Sequence, residues 1–278
     1  KYKNKRRNKF KIRGFLKVNN YGIDIWSDDN FMIEDGLAKI NYDCKPSLIS
    51  IVKDIRKQDF KGPLLLRFPH ITEKQVNTLY NTFNSSIKEY DYKGTFNAVF
   101  PLKVNQLPNF IHPLINEGKK FNYGLEAGSK AELVIAMTYN NVGSPITVNG
   151  FKDKEMIHLG FIAKSMGHNI TIIIEGLNEL EIIIEVLNET KMECPNIGLR
   201  VRLHSGGSGL WAKSGGINSK FGLTSTEILE AYELMEDNNL VKHLTMIHFH
   251  IGSAMNSIKP LKKALRESGH IYAELKNL

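Results

Sequence analysis

The chain has 278 residues, of which 42% are hydrophobic and 24% are charged. This length and balance exclude fibrous, low-complexity and wholly disordered proteins, and they allow one large domain or two small ones. The formal net charge of +8 is confined to the first 13 residues, which hold eight basic residues and no acid, so 29 Lys and Arg remain against 29 Asp and Glu. A basic arm on a neutral body, with no basic stripe or aromatic platform, does not indicate a nucleic-acid partner.

Two cysteines, Cys44 and Cys194, lie far apart and without metal-ligand spacing. They indicate neither a disulfide scaffold nor a zinc site, and a reducing, cytoplasmic location suits this usage. The apolar stretch around residues 170–174 is far too short to span a bilayer, and the N-terminus lacks the apolar segment of a secretory signal. We therefore expect no membrane association.

Residues 14–45 are expected to form short strands around Trp26 and from Phe31 to Ile33, with a turn at Asp35-Gly36. Such strands have no partner in the elements that follow. We therefore predict that residues 1–45 form a basic arm and part of a separate β-domain, completed by sequence outside this chain.

From about Pro46 onward, β-branched runs alternate with amphipathic stretches, which predicts repeated strand-helix units. Seven strands are expected, beginning at Pro63, Thr95, Phe121, Pro145, Asn169, Gly198 and His243. Helices are expected from Ser129 and from Ser225, the second with a capping box formed by Thr224 and Glu227.

Seven such units in succession predict an α/β fold, a (β/α)8 TIM-like barrel over residues 46–278 that is incomplete in this chain because closure needs eight. Since the sequence ends at Leu278, inside the seventh predicted helix, we expect it to be part of a longer protein.

Ionisable residues fall at the carboxyl ends of four predicted strands, which meet at one mouth of such a barrel. They are Lys103, Glu126, the group Arg200, Arg202 and His204, and the pair His248 and His250. Each has a simpler interpretation: a surface lysine, salt-bridge or packing residues, or a carboxylate that favours a helix dipole. These simpler interpretations would have to hold independently at the carboxyl ends of four strands. The coincidence favours a functional site at this end of the barrel.

A lysine such as Lys103, held among apolar neighbours, would have more neutral amine available to attack a carbonyl, which is Schiff-base chemistry. A flat imidazole such as His250 could stack on an aromatic cofactor, and the hydroxyl of Ser253 could hold its phosphate. The glycine-rich stretch from Ser205 to Gly222 lacks the P-loop pattern, and we interpret it as a mobile loop over the barrel mouth.

Several segments together resemble the biosynthetic arginine decarboxylases, which are pyridoxal-phosphate enzymes of the alanine racemase-like barrel fold. They are FPLKVNQ around Lys103, YGLEAGSKAEL from Tyr123, the run from Leu199 to Leu223, IHFHIGS from Ile247, GPLLLRFP from Gly62 and VNGFKDKE from Val148. The resemblance extends from about Tyr21 to the end of the chain.

The resemblance implies a role for each matching residue. Lys103 would form the Schiff base with pyridoxal 5'-phosphate, His250 would stack on its ring, and Ser253 would bind its phosphate. Glu126 matches an acidic position after the third strand, and Glu132 a glutamate one helical turn later. Arg200 fits the cofactor-side arginine best, with Arg202 left open because the LRVRL run is ambiguous by two residues.

The implied reaction is decarboxylation of L-arginine to agmatine and CO2, the first step of polyamine and spermidine synthesis from arginine. The phosphate loop, the acid for the pyridine nitrogen and the general-acid cysteine are expected outside this chain. The family also implies Mg2+ and a homo-oligomer, a dimer or tetramer. Open alternatives are ornithine or diaminopimelate decarboxylation, racemisation, and an inactive regulatory homologue.

Overall fold

The computed structural model of the chain describes residues 22–204, 221–252 and 257–278. The chain divides into two compact units, residues 1–71 and residues 72–278, which we describe separately. The domain boundary expected near residue 45 stays a prediction.

The first unit contains a β-hairpin made of strands β1 (Phe31–Glu34) and β2 (Leu37–Ile40), which pair antiparallel. Asp35 and Gly36 form the turn with φ of 55° and 73°, the left-handed conformation that a tight hairpin turn requires. The predicted turn is therefore confirmed, and β1 finds its partner in β2.

The strand predicted around Trp26 is wrong, because this segment forms the short helix α1 (Ile23–Trp26). The N–H of Ser27 donates to the carbonyl of Ile23 and so closes a helical turn. A longer helix, α2 (Leu48–Lys57), follows the hairpin and is capped by the Ser47 side chain, which accepts from the N–H of Ser50.

The strand predicted from Pro63 is also wrong. Residues 63–68 belong to no helix or strand, and Leu65 is 73% exposed. Alternating apolar residues show only that one face of an extended segment can be buried. A strand also needs a hydrogen-bonded neighbour, and the parallel sheet of the described residues begins further along the chain.

The second unit is built on a six-stranded parallel sheet whose strands are in sequence order. The strands are β3 (Val99–Pro101), β4 (Gly124–Ala127), β5 (Pro145–Val148), β6 (Asn169–Ile174), β7 (Asn196–Arg200) and β8 (Leu244–His248). The helices are α3 (Pro69–Glu89), which begins at the end of the first unit, α4 (Pro108–Gly118), α5 (Lys130–Tyr139), α6 (Lys154–Ser165), α7 (Leu177–Thr190), α8 (Ser225–Asp237) and α9 (Lys259–Lys276). Parallel neighbours joined by helices form the wall of an α/β barrel.

Burial on both faces explains why the strands are so apolar. Ile172 and Ile174 point to one face of β6 and Ile173 to the other, yet all three are fully buried. Gly124 lets β4 and β5 approach each other, since a Cβ there would lie 1.9 Å from the carbonyl oxygen of Pro145. A side chain at this position would force the two strands apart.

The helix starts agree with the predicted signals. Helix α8 carries the predicted capping box, in which Thr224 accepts from the N–H of Glu227 and Glu227 accepts from the N–H of Thr224. Helix α5 begins after Ser129, whose hydroxyl accepts from the N–H of Glu132. In residues 22–204, 221–252 and 257–278, no helix has the length and apolar character needed to cross a membrane.

Candidate active site

The strand register brings the predicted ionisable residues to the carboxyl edge of the sheet. Glu126 lies in β4, and Arg200 and His248 are paired at the ends of β7 and β8. Lys103 lies two residues after the end of β3, and His250 lies two residues after the end of β8. The edge therefore gathers an amine, a carboxylate, a guanidinium and two imidazoles.

Lys103 lies in a turn fixed by its neighbours. The N–H of Leu102 donates to the carbonyl of Glu126 over 2.9 Å, and the N–H of Val104 donates to the carbonyl of Pro101 over 3.0 Å. Leu102 is fully buried, whereas Lys103 is exposed. The expected apolar enclosure of Lys103 is therefore not formed by the described residues, because the turn directs it away from the core that holds Leu102.

His250 lies within electrostatic reach of both Lys103 and Arg200. Partial enclosure of the imidazole lowers the pKa of His250, and the Arg200 and Lys103 cations lower it further. The N–H of Gly252 donates to Nδ1 of His250 over 3.1 Å, so the neutral ring carries its proton on Nε2. Both cations and the partial burial favour the neutral form of the ring, and the Gly252 contact favours the tautomer with its proton on Nε2.

Glu126 is half-buried between β3 and β5. Burial raises the pKa of the Glu126 carboxyl, while hydrogen bonds from Asn149 and Thr147 and the nearby Arg200 cation oppose that rise. The Thr147 hydroxyl lies 3.5 Å from Oε2 of Glu126. Glu126 therefore faces the mouth together with side chains from β5 and β7.

Glu132 has a structural role in this site. Its Oε2 accepts from the N–H of Gly128 over 2.7 Å, and its Oε1 accepts from Gln106 over 3.3 Å. Together with the Ser129 cap, these contacts hold the start of α5 beside the loop that follows Lys103. The side chain thereby fixes the segment between Glu126 and its helix.

The two arginines of the ambiguous LRVRL run have different surroundings. Arg200 forms an ion pair with Glu175 at 2.6 Å, and its charge acts on Glu126 and both strand-end histidines. Arg202 instead donates to the carbonyl of Gly222 over 2.8 Å. These contacts favour Arg200 as the arginine that serves the site.

Sequence reasoning missed two residues of this edge, Asn149 and Glu175. Asn149 follows β5 and lies 3.3 Å from Nε2 of His248, and Glu175 follows β6 and pairs with Arg200. Both lie near the carboxyl end of a predicted strand and directly follow the observed β5 and β6, so the rule that selected Lys103 and Glu126 also applied to them. Of the earlier predictions, Ser253 and residues 205–220 of the loop lie outside the described residues.

The donor set fits a planar, anionic cofactor with an aldehyde. Nδ1 of His248 is buried and has no hydrogen-bond partner in the described part of the chain. Buried donors of this kind normally have a partner, and an oxygen-rich ligand can provide one. For a metal the fit is poor, because no group of three or more His, Cys, Asp or Glu side chains in residues 22–204, 221–252 and 257–278 could hold an ion.

Residues 74–278 match the family described as pyridoxal-dependent decarboxylase, pyridoxal binding domain. The match covers more than half of the chain, and the chain belongs to this family. The predicted fold class is thereby confirmed, with a parallel barrel sheet and a separate antiparallel strand pair.

The relatives show which members of the family the chain is similar to. A crystal structure of the biosynthetic arginine decarboxylase from Campylobacter jejuni is 57% identical with a TM-score of 0.85, over 95% of this chain and 42% of that one. The biosynthetic arginine decarboxylase of Bacteroides thetaiotaomicron is 39% identical over 263 residues, 93% of this chain and 42% of the relative.

A diaminopimelate decarboxylase structure from M. jannaschi, 24% identical with a TM-score of 0.65, covers 90% of this chain and 54% of that one and supports the fold alone. The chain spans about two fifths of the length of the arginine decarboxylases that it matches.

Proposed function

We propose that this chain is the pyridoxal-phosphate-binding part of an enzyme that decarboxylates L-arginine to agmatine and CO2. The observation that carries the proposal is the 57% identity, with a TM-score of 0.85, to the arginine decarboxylase of Campylobacter jejuni. This likeness extends over 95% of the chain, and the family match over residues 74–278 includes the strand ends that hold Lys103, Glu126 and His250.

Pyridoxal phosphate, when bound, supplies an electron sink for the pair of electrons released as the bond to the carboxylate breaks. The protein's residues bind and orient the reactants. Lys103 is the amine that would hold the cofactor covalently, since it lies at the carboxyl edge and its charge reaches His250.

The remaining residues of the edge would fix the cofactor's orientation. The neutral imidazole of His250 offers a flat face for the ring, and Ser253 would contact the phosphate. Glu126 and Arg200 lie within electrostatic reach of each other and would place one negative and one positive charge beside the ring. A fixed orientation and preorganised charges lower the barrier by an amount that can reach several kcal/mol.

The rival reactions use the same scaffold. Ornithine or diaminopimelate decarboxylation and amino-acid racemisation would also need a lysine and a stacking histidine. The identity to diaminopimelate decarboxylases is 24% or lower, against 57% to the Campylobacter jejuni arginine decarboxylase. This difference favours arginine as the substrate.

Carbon dioxide release by the full-length protein tests the substrate. We expect kcat/KM for arginine to exceed that for ornithine, lysine and diaminopimelate by at least about a hundredfold, as a site that pairs with a substrate's polar groups allows. A preference for ornithine would overturn the choice of arginine. A protein that takes up no cofactor would support the inactive regulatory homologue.

Three further properties remain predictions that follow from the same proposal. They are a dimer or tetramer of identical subunits, a cytoplasmic location, and a role for Mg2+ through residues outside the described part of the chain. Light scattering of the purified full-length protein gives the number of subunits directly.

A further inference from the structure

A network of buried charges adjoins the candidate site and shares Arg200 and Glu175 with it. Its members are Lys152, Glu175, Glu179 and Arg200, whose side chains are 0%, 7%, 4% and 12% exposed. We call these four residues the Glu175 network. Lys152 follows β5, Glu175 follows β6, Glu179 lies in the first turn of α7, and Arg200 is the last residue of β7. The network therefore joins the ends of three neighbouring strands.

Glu175 connects two of those strand ends through one oxygen atom. Oε1 of Glu175 accepts from the Arg200 guanidinium over 2.6 Å and from the N–H of Gly150 over 3.0 Å. A guanidinium that donates to a carboxylate already fixed by a backbone group has little freedom to swing. The position of Glu175 therefore determines the position of the Arg200 charge.

Glu179 in turn holds the loop that carries Glu175. Its Oε2 accepts from the N–H of Glu175 over 2.8 Å and lies 3.0 Å from Nζ of Lys152. Its Oε1 accepts from the N–H of Lys152 over 3.2 Å, and Nζ of Lys152 also donates to the carbonyl of Gly150. The buried pair thus fixes the backbone on both sides of the Arg200–Glu175 contact.

Burying two cations and two anions is costly compared with burying apolar side chains of the same size, even when all four are paired. A contribution to stability alone therefore does not explain why four charged residues are buried here. Their location behind Arg200 supplies another reason, since the Arg200 charge acts on Glu126, His248 and His250 at the mouth. A shift of that cation would alter the electrostatics of all three.

We propose that Glu175 is a positioning residue that aims Arg200 at the cofactor, and that the Lys152–Glu179 pair holds Glu175 in place for this task. The inference rests on the proposed function, because it takes pyridoxal phosphate as the ligand that Arg200 serves. It adds three residues, Lys152, Glu175 and Glu179, that position Arg200; the Glu175 charge also acts on His248 and His250 directly.

A double-mutant cycle in the full-length protein tests the proposal. The dissociation constant of pyridoxal phosphate is measured by absorbance titration of the cofactor-free protein for wild type, Glu175→Gln, Arg200→Gln and the double variant. We expect each single variant to bind about tenfold more weakly, the effect of one misplaced charge-assisted hydrogen bond. Because Glu175 acts through Arg200, the double variant should bind no more weakly than Arg200→Gln.

Glu185→Gln is the matched control. Glu185 lies on α7, is 52% exposed and pairs with Lys154 at 2.8 Å, so it loses the same charge from a solvated ion pair. Its cofactor affinity should equal that of wild type. A second variant, Glu175→Asp, keeps the charge but shortens its reach, and should melt near the wild-type temperature while binding the cofactor several-fold more weakly.

The outcomes separate this inference from the proposed function. Independent, additive losses in the double variant, or wild-type affinity in both Glu175→Gln and Glu175→Asp, would overturn the positioning role. Unchanged affinity in Arg200→Gln would overturn it as well, while leaving the decarboxylase proposal intact. A wild-type protein that binds no pyridoxal phosphate would overturn both.

Discussion

Asn149 directly follows β5 and His248 ends β8, two strands that are not neighbours, yet Nδ2 of Asn149 is 3.3 Å from Nε2 of His248. Two strands separate β5 from β8. In a flat sheet the two ends would lie about 14 Å apart, given a spacing of about 4.8 Å between strands. The contact therefore requires the sheet to curl, and it joins opposite sides of the barrel mouth.

The same contact determines the tautomer of His248. Oδ1 of Asn149 accepts from the N–H of Gly150 over 3.0 Å, so its Nδ2 faces the ring as a donor. Nε2 of His248 must accept, and the neutral ring then carries its proton on Nδ1, which has no partner in the described residues. His248 thus offers a buried donor at the site.

His248 should make the stability of the protein depend on pH. Burial, with the nearby Arg200 cation, lowers the pKa of His248 from 6.5 to about 4. Above pH 6.5 the ring is neutral in both states. As the pH falls towards 4, His248 binds a proton in the unfolded chain but not in the folded protein. The free energy of unfolding therefore decreases.

The measurement is the free energy of unfolding in urea at pH 7 and pH 5. Between pH 7 and pH 5, protonation of His248 in the unfolded chain should lower the free energy of unfolding of the wild type by about 2 kcal/mol. The decrease measured for His248→Gln should be smaller by that amount. An equal loss in the two proteins would show that His248 is not buried as a neutral ring.

His250→Ala should weaken cofactor retention without abolishing folding. The imidazole face offers a stacking contact, and loss of such a contact costs about 0.5–1.5 kcal/mol, or up to about tenfold in the cofactor's dissociation constant. Dialysis of the full-length variant, followed by absorbance of the retained cofactor, measures the effect. Retention equal to that of wild type would exclude a stacking role.

Lys152→Met should destabilise the protein strongly. The substitution leaves the buried Glu179 carboxylate without its partner, which costs about 3–5 kcal/mol. Adding Glu179→Gln removes the unpaired charge and should recover part of the loss. Urea unfolding at pH 7 measures both.

The control for that experiment is Lys154→Met, which breaks exposed pairs with Glu185 and Glu189. It should change stability by about 1 kcal/mol or less. If Lys152→Met proved no more harmful than Lys154→Met, the buried pair would have no structural importance.

The two cysteines should differ sharply in reactivity. Cys194 is 4% exposed, and burial raises the pKa of its thiol to about 12, whereas Cys44 is exposed. Because the thiolate is the reactive form, iodoacetamide at pH 8 should label Cys44 in the native protein and Cys194 only after denaturation. Peptide mass spectrometry distinguishes the two, and rapid native labelling of Cys194 would contradict its burial.

Local signals in the sequence were sufficient for much of the barrel. The apolar run of β6, the capping box at Thr224 and the turn at Asp35-Gly36 each depend on a few adjacent residues, and all three are present in the structure. The strands predicted around Trp26 and from Pro63 are absent because pairing depends on distant neighbours. A run such as residues 63–68 has the right alternation but no partner within the described sheet.

The site could be predicted only in part for the same reason. The strand-end rule found Lys103, Glu126, Arg200 and His250 because each breaks an apolar run. The same rule applied to Glu175, but its contacts with Arg200 and Gly150, each 25 residues away along the chain, are visible only in the structure. The different partners of Arg200 and Arg202 are likewise visible only in the structure, and the preference for Arg200 stays a prediction.

Lys103 is proposed to bind the cofactor covalently, and chemical trapping identifies the lysine that does so. The full-length protein is loaded with pyridoxal phosphate, reduced with borohydride, digested and examined by mass spectrometry. We predict a pyridoxyl group on the peptide that contains Lys103, and no such adduct in Lys103→Ala. An adduct on another lysine, such as Lys152, with Lys103 unmodified would show that Lys103 is not the residue that binds the cofactor.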